Sequence, residues 1–566
     1  MGSIPTPVKE TYDVLIIGSG LSGLASLHHI REQMPDCRVK VLDNGADVGG
    51  TWFWNRYPGC RFDCESVSYS YSFDKGLLEE WHWKEAYSPQ PETHKYIKRF
   101  AERNDLYKHI QFNTTVKSAR WDDDAHNWTF VDQDGNQYIT TFFLSCIGFL
   151  STPSLPAIPG IENFKGTSFH TSRWPTDLNL ARDFAGKRIG VVGTGATGIQ
   201  TITALSKEPS IKSISVFQRT ATWTVPLRNY EISPEKMEEL KKDYDNIFGI
   251  CRSTPSGFMH MADPRKSMEV TAEERLALWE KLYNEPGFGK WQGLFSDTYT
   301  DRQANELYSN FIADKIRGRV HDPEVAESLI PKTHGFGTRR VPLESGYFEA
   351  FNQDNVHLVD LKKAPVSEVK SDRIITSDGK EHELDILIYA TGFDAITGSF
   401  STIEWQGKDG RPLIAPSGTP KGERAVWVDN RPYTFLGMTV PSMPNMFMVL
   451  GPHQPFGNAT RNIEHAVQVV VDLLKFCRDR GYTYAEATQE AADGWTEHVF
   501  ECSKGSLVNE VDSWMTGVNT NIKGKQVRSV VRYGGSAQEF QRRCREVKES
   551  GYQGLTFARQ AKGVKL

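Results

Sequence analysis

The sequence has no long apolar run, no excess of basic residues and no dense cysteine framework. Its apolar stretches are broken by charge well short of the roughly 20 residues that a membrane-spanning helix needs. The formal net charge is -5, so the chain lacks the basic field that nucleic-acid binding requires. Its eight cysteines are scattered over 566 residues, which favours reduced thiols. We therefore expect a cytoplasmic protein that binds neither nucleic acid nor a membrane.

The composition is that of an ordinary globular protein. Hydrophobic residues make up 39% of the chain and charged residues 24%, which supplies a core without long disordered tracts. A length of 566 residues exceeds what one hydrophobic core usually organises. The length therefore favours roughly two to four domains.

Two segments share the pattern of a buried strand, a glycine turn and a helix. The first, from Tyr12, is YDVLIIGSGLSGLASLHHI, and the second, from Lys187, is KRIGVVGTGATGIQTITAL. In such a unit the glycines let the backbone approach a pyrophosphate, which the helix N-terminus faces. We predict an α/β fold with two Rossmann-like dinucleotide-binding domains.

The first turn is followed by two features that favour FAD. The strand CRVKVLD ends in Asp43, whose carboxylate can accept hydrogen bonds from a ribose diol. A double glycine with clustered aromatic residues follows, as GGTWFWNRYPG from Gly49, and such a backbone suits a flat ring system. The predicted FAD contacts are Gly18, Ser19, Gly20, Gly23, Asp43, Thr51, Trp52 and Trp54.

The second turn favours NADPH over NADH. Gln218 stands as far beyond this turn as Asp43 does beyond the first, so the carboxylate that would repel a 2′-phosphate is missing. The next residue, Arg219, can bind that phosphate. A charge-assisted contact of about 1.5 to 3 kcal/mol would set the preference. The predicted nucleotide contacts are Gly193, Thr194, Gly195, Thr197, Gly198, Arg219 and Thr220.

Charged, helix-favouring sequence follows the second unit. ISPEKMEELKKDYDNIF and TAEERLALWEKLY each open on a Ser or Thr cap, which predicts a helical insertion in the NADP-binding domain. The expected division is 1–150 and 386–566 for the two parts of the FAD-binding domain, 151–228 and 331–385 for the two parts of the NADP-binding domain, and 229–330 for the insertion. A mobile loop is expected near 503–525.

A longer signature stands between the two units. FKGTSFHTSRWP, from Phe164, fits the pattern Phe-x-Gly-x-x-x-His-x-x-x-Trp-Pro. Together with GGTWFWNRYPG, ATGFD from Ala390 and SWMTG from Ser513, it resembles type I Baeyer-Villiger monooxygenases over nearly the whole chain. The resemblance implies FAD, NADPH and O2, a C4a-peroxyflavin, and conversion of ketones to esters or lactones, with sulfides as further substrates. It implies that His170 ties the linker between the domains together.

The resemblance also assigns residues to the reaction. GTRR at 337–340 is similar to the catalytic loop of the family, which implies Arg340 as the stabilising cation and Arg339 as a second NADPH phosphate contact. Asp63 matches the active-site carboxylate that would hold Arg340 and orient nearby cofactor groups, so both residues are also expected cofactor contacts. Trp514 matches the tryptophan that closes over the nicotinamide ribose. Further expected cofactor contacts are Tyr69 and Val116.

Two segments depart from the family pattern. Residues 145–151 read SCIGFLS where the family has its first Ala-Thr-Gly stretch, a change that we expect to alter packing only. The loop GPHQPF at 451–456 matches no particular substrate class. The class of ketone is therefore open.

Three other functions compete with this interpretation. An N- or S-oxidising flavin-containing monooxygenase would share both glycine turns, but Trp174-Pro175 and Arg340 favour ketone oxidation. A disulfide reductase would use Cys60 and Cys64, although their spacing is neither two nor four residues. A non-catalytic dinucleotide-binding sensor or scaffold would not need Arg340. We expect a small-molecule ketone and O2 as partners, no metal, and a monomer or weak homo-oligomer.

Overall fold

The computed structural model describes residues 7–415, 425–428 and 431–560. Within these ranges, each of two large sheets contains the strand that leads into one of the glycine turns. The central strand of the first sheet, Lys9–Ile17, pairs parallel with both neighbours. Its end is buried from Val14 onward, as expected for a parallel strand covered on both faces. From edge to edge this sheet contains Glu404–Gln406, Val116–Asp122, Asn127–Asp132, Gln137–Ser145, Lys9–Ile17, Val39–Leu42 and Ile110–Gln111, and Met446–Met448 also pairs with Gln137–Ser145.

The second sheet is parallel throughout. From edge to edge it contains Val356–Asp360, Ser213–Gln218, Arg188–Val192, Ile386–Tyr389 and Thr167–His170. Arg188–Val192 leads into the second glycine turn. The expected division between residues 385 and 386 would separate Ile386–Tyr389 from both strands to which it is hydrogen-bonded. We therefore propose that the domain division falls after Tyr389.

The helical insertion expected from the sequence is present. Its helices are Pro234–Lys242, Tyr244–Ser253, Ala272–Asn284, Gly289–Gln292, Arg302–Arg317 and Pro323–Leu329. Ser233 Oγ accepts a hydrogen bond from the backbone N–H of Lys236, and Thr271 forms a capping box with Glu274. These caps satisfy backbone donors that a helix start leaves unpaired.

The remaining elements complete the two domains. The long helix Ala459–Arg480 packs on the first dinucleotide helix, Leu21–Gln33. The other helices are Thr51–Trp54, Ser66–Tyr69, Lys75–Glu80, Gln90–Arg103, Leu180–Asp183, Ala196–Leu205, Tyr347–Ala350, Gln489–Ser503 and Ala537–Glu549. The small sheets pair Val225–Pro226 with Leu343–Glu344, Val366–Val369 with Arg373–Thr376 and Glu381–Glu383, and Tyr484–Ala487 with Leu555–Ala558. In the described ranges no helix combines the length and apolar character needed to cross a membrane.

Candidate active site

The first glycine turn brings separate backbone segments into contact. Gly18 has a φ of 101°, a conformation that side chains disfavour. A Cβ on Gly23 would lie 1.8 Å from the carbonyl oxygen of Gly18, and a Cβ on Gly50 would lie 2.8 Å from Gly20 Cα. The helix therefore begins directly against its strand, and the double glycine packs on the turn. The glycines of this turn place backbone at the helix N-terminus, where a pyrophosphate would lie.

The carboxylate of Asp43 is oriented by the turn itself. Its Oδ2 accepts hydrogen bonds from the backbone N and the Oγ of Ser19, at 2.5 and 2.8 Å, and its Oδ1 accepts one from the backbone N of Gly45 at 2.6 Å. Asp43 lines a cavity at the first glycine turn. Its carboxylate has further acceptor capacity for a ribose hydroxyl. Ser19, predicted as a cofactor contact, is fully buried. Its observed contact is with Asp43, which it orients.

A cavity of about 480 Å³ lies at the first turn. Of the predicted cofactor contacts it is lined by Gly18, Gly20, Asp43, Thr51, Trp52, Trp54, Tyr69 and Val116, whereas Ser19, Gly23 and Asp63 are not part of the lining. Residues that the sequence pattern did not single out also line it, among them Thr114, Lys117, Ala459 and Ile463. Cys146 and Phe149 line it as well, so the expectation that the departing segment 145–151 alters packing only was wrong. Glycine backbone, a buried carboxylate and aromatic rings match the diphosphate, the ribose and the flat ring of FAD. The residues present therefore fit this cofactor.

The second turn repeats the geometry of the first. Gly193 has a φ of 106°, and a Cβ on Gly198 would lie 2.2 Å from the carbonyl oxygen of Gly193. A Cβ on Gly195 would meet no atom of the described residues within 4 Å, so the front of this turn is open. Thr194 Oγ1 donates to the carbonyl oxygen of Thr220 at 3.0 Å, and Thr197 is half-buried at the start of the helix. The open turn is suited to a second dinucleotide.

A charged pocket of about 510 Å³ lies at the end of strand Ser213–Gln218. Gln218, Arg219 and Thr220 line it, as predicted, and the buried amide of Gln218 donates to the carbonyl oxygen of Ser328 at 2.7 Å. The sequence did not single out the other charged residues of its lining, which are Lys332, Lys362, Lys363, Glu324, Glu327 and Asp360. They come from separate segments, so no local pattern marked them.

Arg339 lies near Arg219 at this end of the molecule. Burial lowers the pKa of Arg339, and the charge of Arg219 lowers it further, while Asp512 opposes the shift. Arg339 Nε is buried and has no hydrogen-bond partner among the described residues. Two guanidinium groups that repel each other and leave a buried donor unpaired provide a position for an anion. A phosphate of NADPH fits this position.

Asp63 and Arg340 form an ion pair that joins two segments far apart in the chain. Arg340 Nη2 lies 2.7 Å from Asp63 Oδ2, which also accepts a hydrogen bond from the backbone N of Leu343 at 3.3 Å. The side chain of Asp63 is 1% exposed and that of Arg340 is 31% exposed. Asp63 Oδ1 is buried without a hydrogen-bond partner in the described part of the chain. The buried carboxylate thus holds a cation that stays partly open, and it retains an acceptor for a cofactor group.

The cysteines near Asp63 do not form a redox pair in this structure. Cys60 and Cys64 are both free and buried. Burial raises the pKa of Cys60 to about 12 and raises that of Cys64 above its ordinary value. Thiol-disulfide exchange needs a thiolate, so the disulfide-reductase interpretation is disfavoured.

Aromatic residues connect Trp514 to the wall of the first cavity. The ring of Trp514 lies 5.7 Å from that of Phe456, which lies 5.3 Å from that of Phe149, a cavity-lining residue. His170 is buried and packs edge-on against Phe393, 5.5 Å away. Burial lowers the pKa of His170 to about 4, so this imidazole is neutral. Its place between the linker segments matches the structural role that the resemblance implied.

Comparisons with known proteins agree with this geometry. The family model described as flavin-binding monooxygenase-like matches residues 11–237. The chain is 41% identical to 2-oxo-Delta(3)-4,5,5-trimethylcyclopentenylacetyl-CoA monooxygenase of Pseudomonas putida, with 96% of this chain and 98% of that protein covered. It is 37% identical to cyclohexanone 1,2-monooxygenase of Acinetobacter sp, with 98% of each covered. The crystal structure of OTEMO in complex with FAD and NADP matches with a TM-score of 0.90 and 40% identity, covering 97% of this chain and 99% of that one. The chain therefore belongs to the flavin-binding monooxygenases and, within them, to the Baeyer-Villiger monooxygenase family.

Proposed function

We propose that this chain converts ketones to esters or lactones with NADPH and O2. In this proposal Arg340 stabilises the negative charge that develops during the reaction, and Asp63 holds Arg340 in position. FAD and NADPH are its cofactors. The Asp63–Arg340 ion pair is the observation that supports these roles. Asp63 follows the aromatic segment 52–54, whose two tryptophans line the flavin cavity, and Arg340 directly follows Arg339, so the pair joins these two parts of the chain.

FAD, when bound, would supply the redox chemistry that passes hydride equivalents from NADPH to O2 and allows one oxygen atom to reach the ketone. Negative charge develops on oxygen during that transfer, and the guanidinium of Arg340 stabilises it. A guanidinium remains protonated at any working pH, and a charge that is already in place costs no reorganisation during the reaction. Asp63 keeps Arg340 in position through the 2.7 Å contact.

The other assigned residues bind and orient the cofactors. Asp63 Oδ1 accepts a hydrogen bond from a cofactor N–H or O–H, because this buried oxygen is otherwise unpaired within the described residues. Arg219 and Arg339 bind the phosphates of NADPH. Gln218 leaves no carboxylate to repel a 2′-phosphate. Trp514, with Phe456 and Phe149, covers the cavity and excludes water.

Further properties are proposed on narrower grounds. All eight cysteines are free, which supports a reducing compartment and with it the cytoplasm. Sulfides, as soft nucleophiles, are proposed as additional substrates. A monomer or weak homo-oligomer that binds no nucleic acid remains the prediction from composition.

The experiment that tests the proposed function supplies the purified protein with NADPH, a panel of linear, cyclic and aryl ketones, and ¹⁸O-labelled O2. We expect an ester or lactone that carries a single ¹⁸O atom, identified by mass spectrometry. Labelled sulfoxide or N-oxide from matched heteroatom substrates, without any ester, would assign the chain to heteroatom oxidation instead. Oxygen uptake that is absent with every substrate would support a sensor or scaffold.

A further inference from the structure

A buried ion pair attaches the segment that carries Trp514 to the linker that follows the second sheet. Lys525 Nζ contacts Asp394 Oδ1 and donates to Thr397 Oγ1 at 2.9 Å. Lys525 is 6% exposed and Asp394 is 7% exposed, whereas lysine is almost never this buried unless it is paired. Desolvating two charges offsets most of their attraction. The pair therefore adds little to the stability of the fold, and its main effect is to fix the position of the segment that carries Trp514.

The same segment has two other attachments close to the cofactor sites. Asn519 Nδ2 donates to the carbonyl oxygen of Phe393 at 3.1 Å and to Ser154 Oγ at 3.3 Å. Thr520 Oγ1 accepts a hydrogen bond from Arg219 Nη1 at 2.8 Å. Phe393 lines the flavin cavity and Arg219 lines the charged pocket. One short stretch of chain thus contacts the wall of both sites.

We propose that Lys525 is a positioning residue whose ion pair with Asp394 holds segment 512–529 across both cofactor sites and so couples them. The proposal rests on the proposed function for the identity of the two ligands. NADPH that binds Arg219 meets a segment already anchored at residues 393–397, and the anchored segment in turn keeps Trp514 against Phe456. Loss of the anchor loosens the nucleotide and opens the reduced flavin to water. NADPH, H⁺ and O2 then yield NADP⁺ and H2O2 in place of ester.

The test compares Lys525→Met with Lys523→Met in the full-length FAD-bound protein. Both substitutions remove one positive charge from the same segment, but Lys523 is exposed. For Lys525→Met we expect unchanged FAD content, a KM for NADPH raised about tenfold, within the range that coupling between two sites supplies, and a larger share of H2O2. We also expect faster hydrogen exchange in residues 512–529 with NADP⁺ bound. Lys523→Met should match the unaltered protein in all four measurements.

Equal hydrogen exchange and equal KM for NADPH in the two variants would overturn the proposal. If Lys525→Met loses flavin because a buried Asp394 is left unpaired, the double variant Lys525→Met/Asp394→Asn removes both charges and must show the same faster exchange. A double variant that also fails to fold would show that the pair is required for the fold, and the positioning role would be rejected. The exchange measurement needs no ketone. Suppose that NADP⁺ slows hydrogen exchange in residues 512–529 only when Lys525 is present, but the protein forms no ester. This result would reject the proposed function and retain this inference.

Discussion

Arg340 Nη2 lies 2.7 Å from Asp63 Oδ2, although 277 residues separate the two in sequence. The side chain of Asp63 is buried, whereas that of Arg340 is partly exposed. This difference in exposure suits a guanidinium that a buried carboxylate fixes in place while its open side remains free to contact a reacting oxygen. It also means that each partner can be tested by a different measurement.

Removal of Arg340 should abolish oxygenation and spare flavin reduction. Loss of one preorganised charge contact to a developing oxyanion costs roughly 2.7 to 4 kcal/mol, or about 100- to 1000-fold in rate. In Arg340→Ala we expect flavin content and nucleotide binding to persist, because both glycine turns, Asp43 and Arg219 are untouched. Anaerobic mixing with NADPH followed by O2 and ketone separates the two steps, with ester and H2O2 quantified. The exposed Arg120→Ala is the control, and ester within a few-fold of that control would exclude Arg340 from the mechanism.

Removal of Arg219 should change the choice of coenzyme. Arg219→Ala loses a charge-assisted contact to the 2′-phosphate, worth roughly 10- to 150-fold in affinity, and NADH does not carry that phosphate. We expect the KM for NADPH to rise by that factor and the KM for NADH to change much less. Lys212→Ala removes an exposed charge at the opposite end of strand Ser213–Gln218 and should change neither value. An equal effect on both coenzymes would show that Arg219 does not read the phosphate.

A side chain on Gly20 should prevent FAD binding. Gly20 lines the cavity, and its Cβ would lie 3.4 Å from Gly50 Cα, so leucine has to project into the space of the pyrophosphate. We expect about one FAD per chain in the unaltered protein and almost none in Gly20→Leu, measured as flavin absorbance per protein. Gly494→Leu is the control, because a Cβ there meets nothing within 4 Å. Flavin retained by Gly20→Leu would refute the assignment of the first turn.

The buried His453 should make the fold sensitive to acid. Its Nδ1 contacts Thr434 Oγ1 at 3.1 Å and its Nε2 contacts the carbonyl oxygen of Val530 at 3.0 Å. Burial lowers the pKa of His453 from 6.5 to about 4. The unfolded chain therefore binds this proton first, so stability is present above pH 6.5 and is lost as the pH falls towards 4. Between pH 7 and pH 5 the loss is about 2 kcal/mol.

His453→Gln isolates this contribution from that of the other histidines. Glutamine retains an acceptor and a donor but does not titrate. We expect the fall in Tm between pH 7 and pH 5 to be smaller in this variant than in the unaltered protein. The exposed His357→Gln should leave the fall unchanged. An identical pH dependence in all three proteins would contradict the assigned shift.

The sequence alone was sufficient for features that depend on neighbours in the chain. Strand, glycine turn and helix lie within one short stretch, and a glycine with positive φ such as Gly18 or Gly193 meets a local steric requirement. Arg219 directly follows Gln218 at the end of a strand, so its place in the lining of the charged pocket follows from the strand's length. The fold class and both cofactors were predicted correctly for this reason.

Tertiary structure alone decided the contacts between distant segments. Ile386–Tyr389 lies between Arg188–Val192 and Thr167–His170, Lys332 shares a pocket with Lys362 and Lys363, and Lys525 pairs with Asp394. Periodicity reports which face of an element is buried but not which element covers it. Such contacts form only when the sheets and the insertion pack together, because their free energy depends on surfaces that are not neighbours in the chain. The sequence determined the two dinucleotide units, and packing determined which of their residues meet.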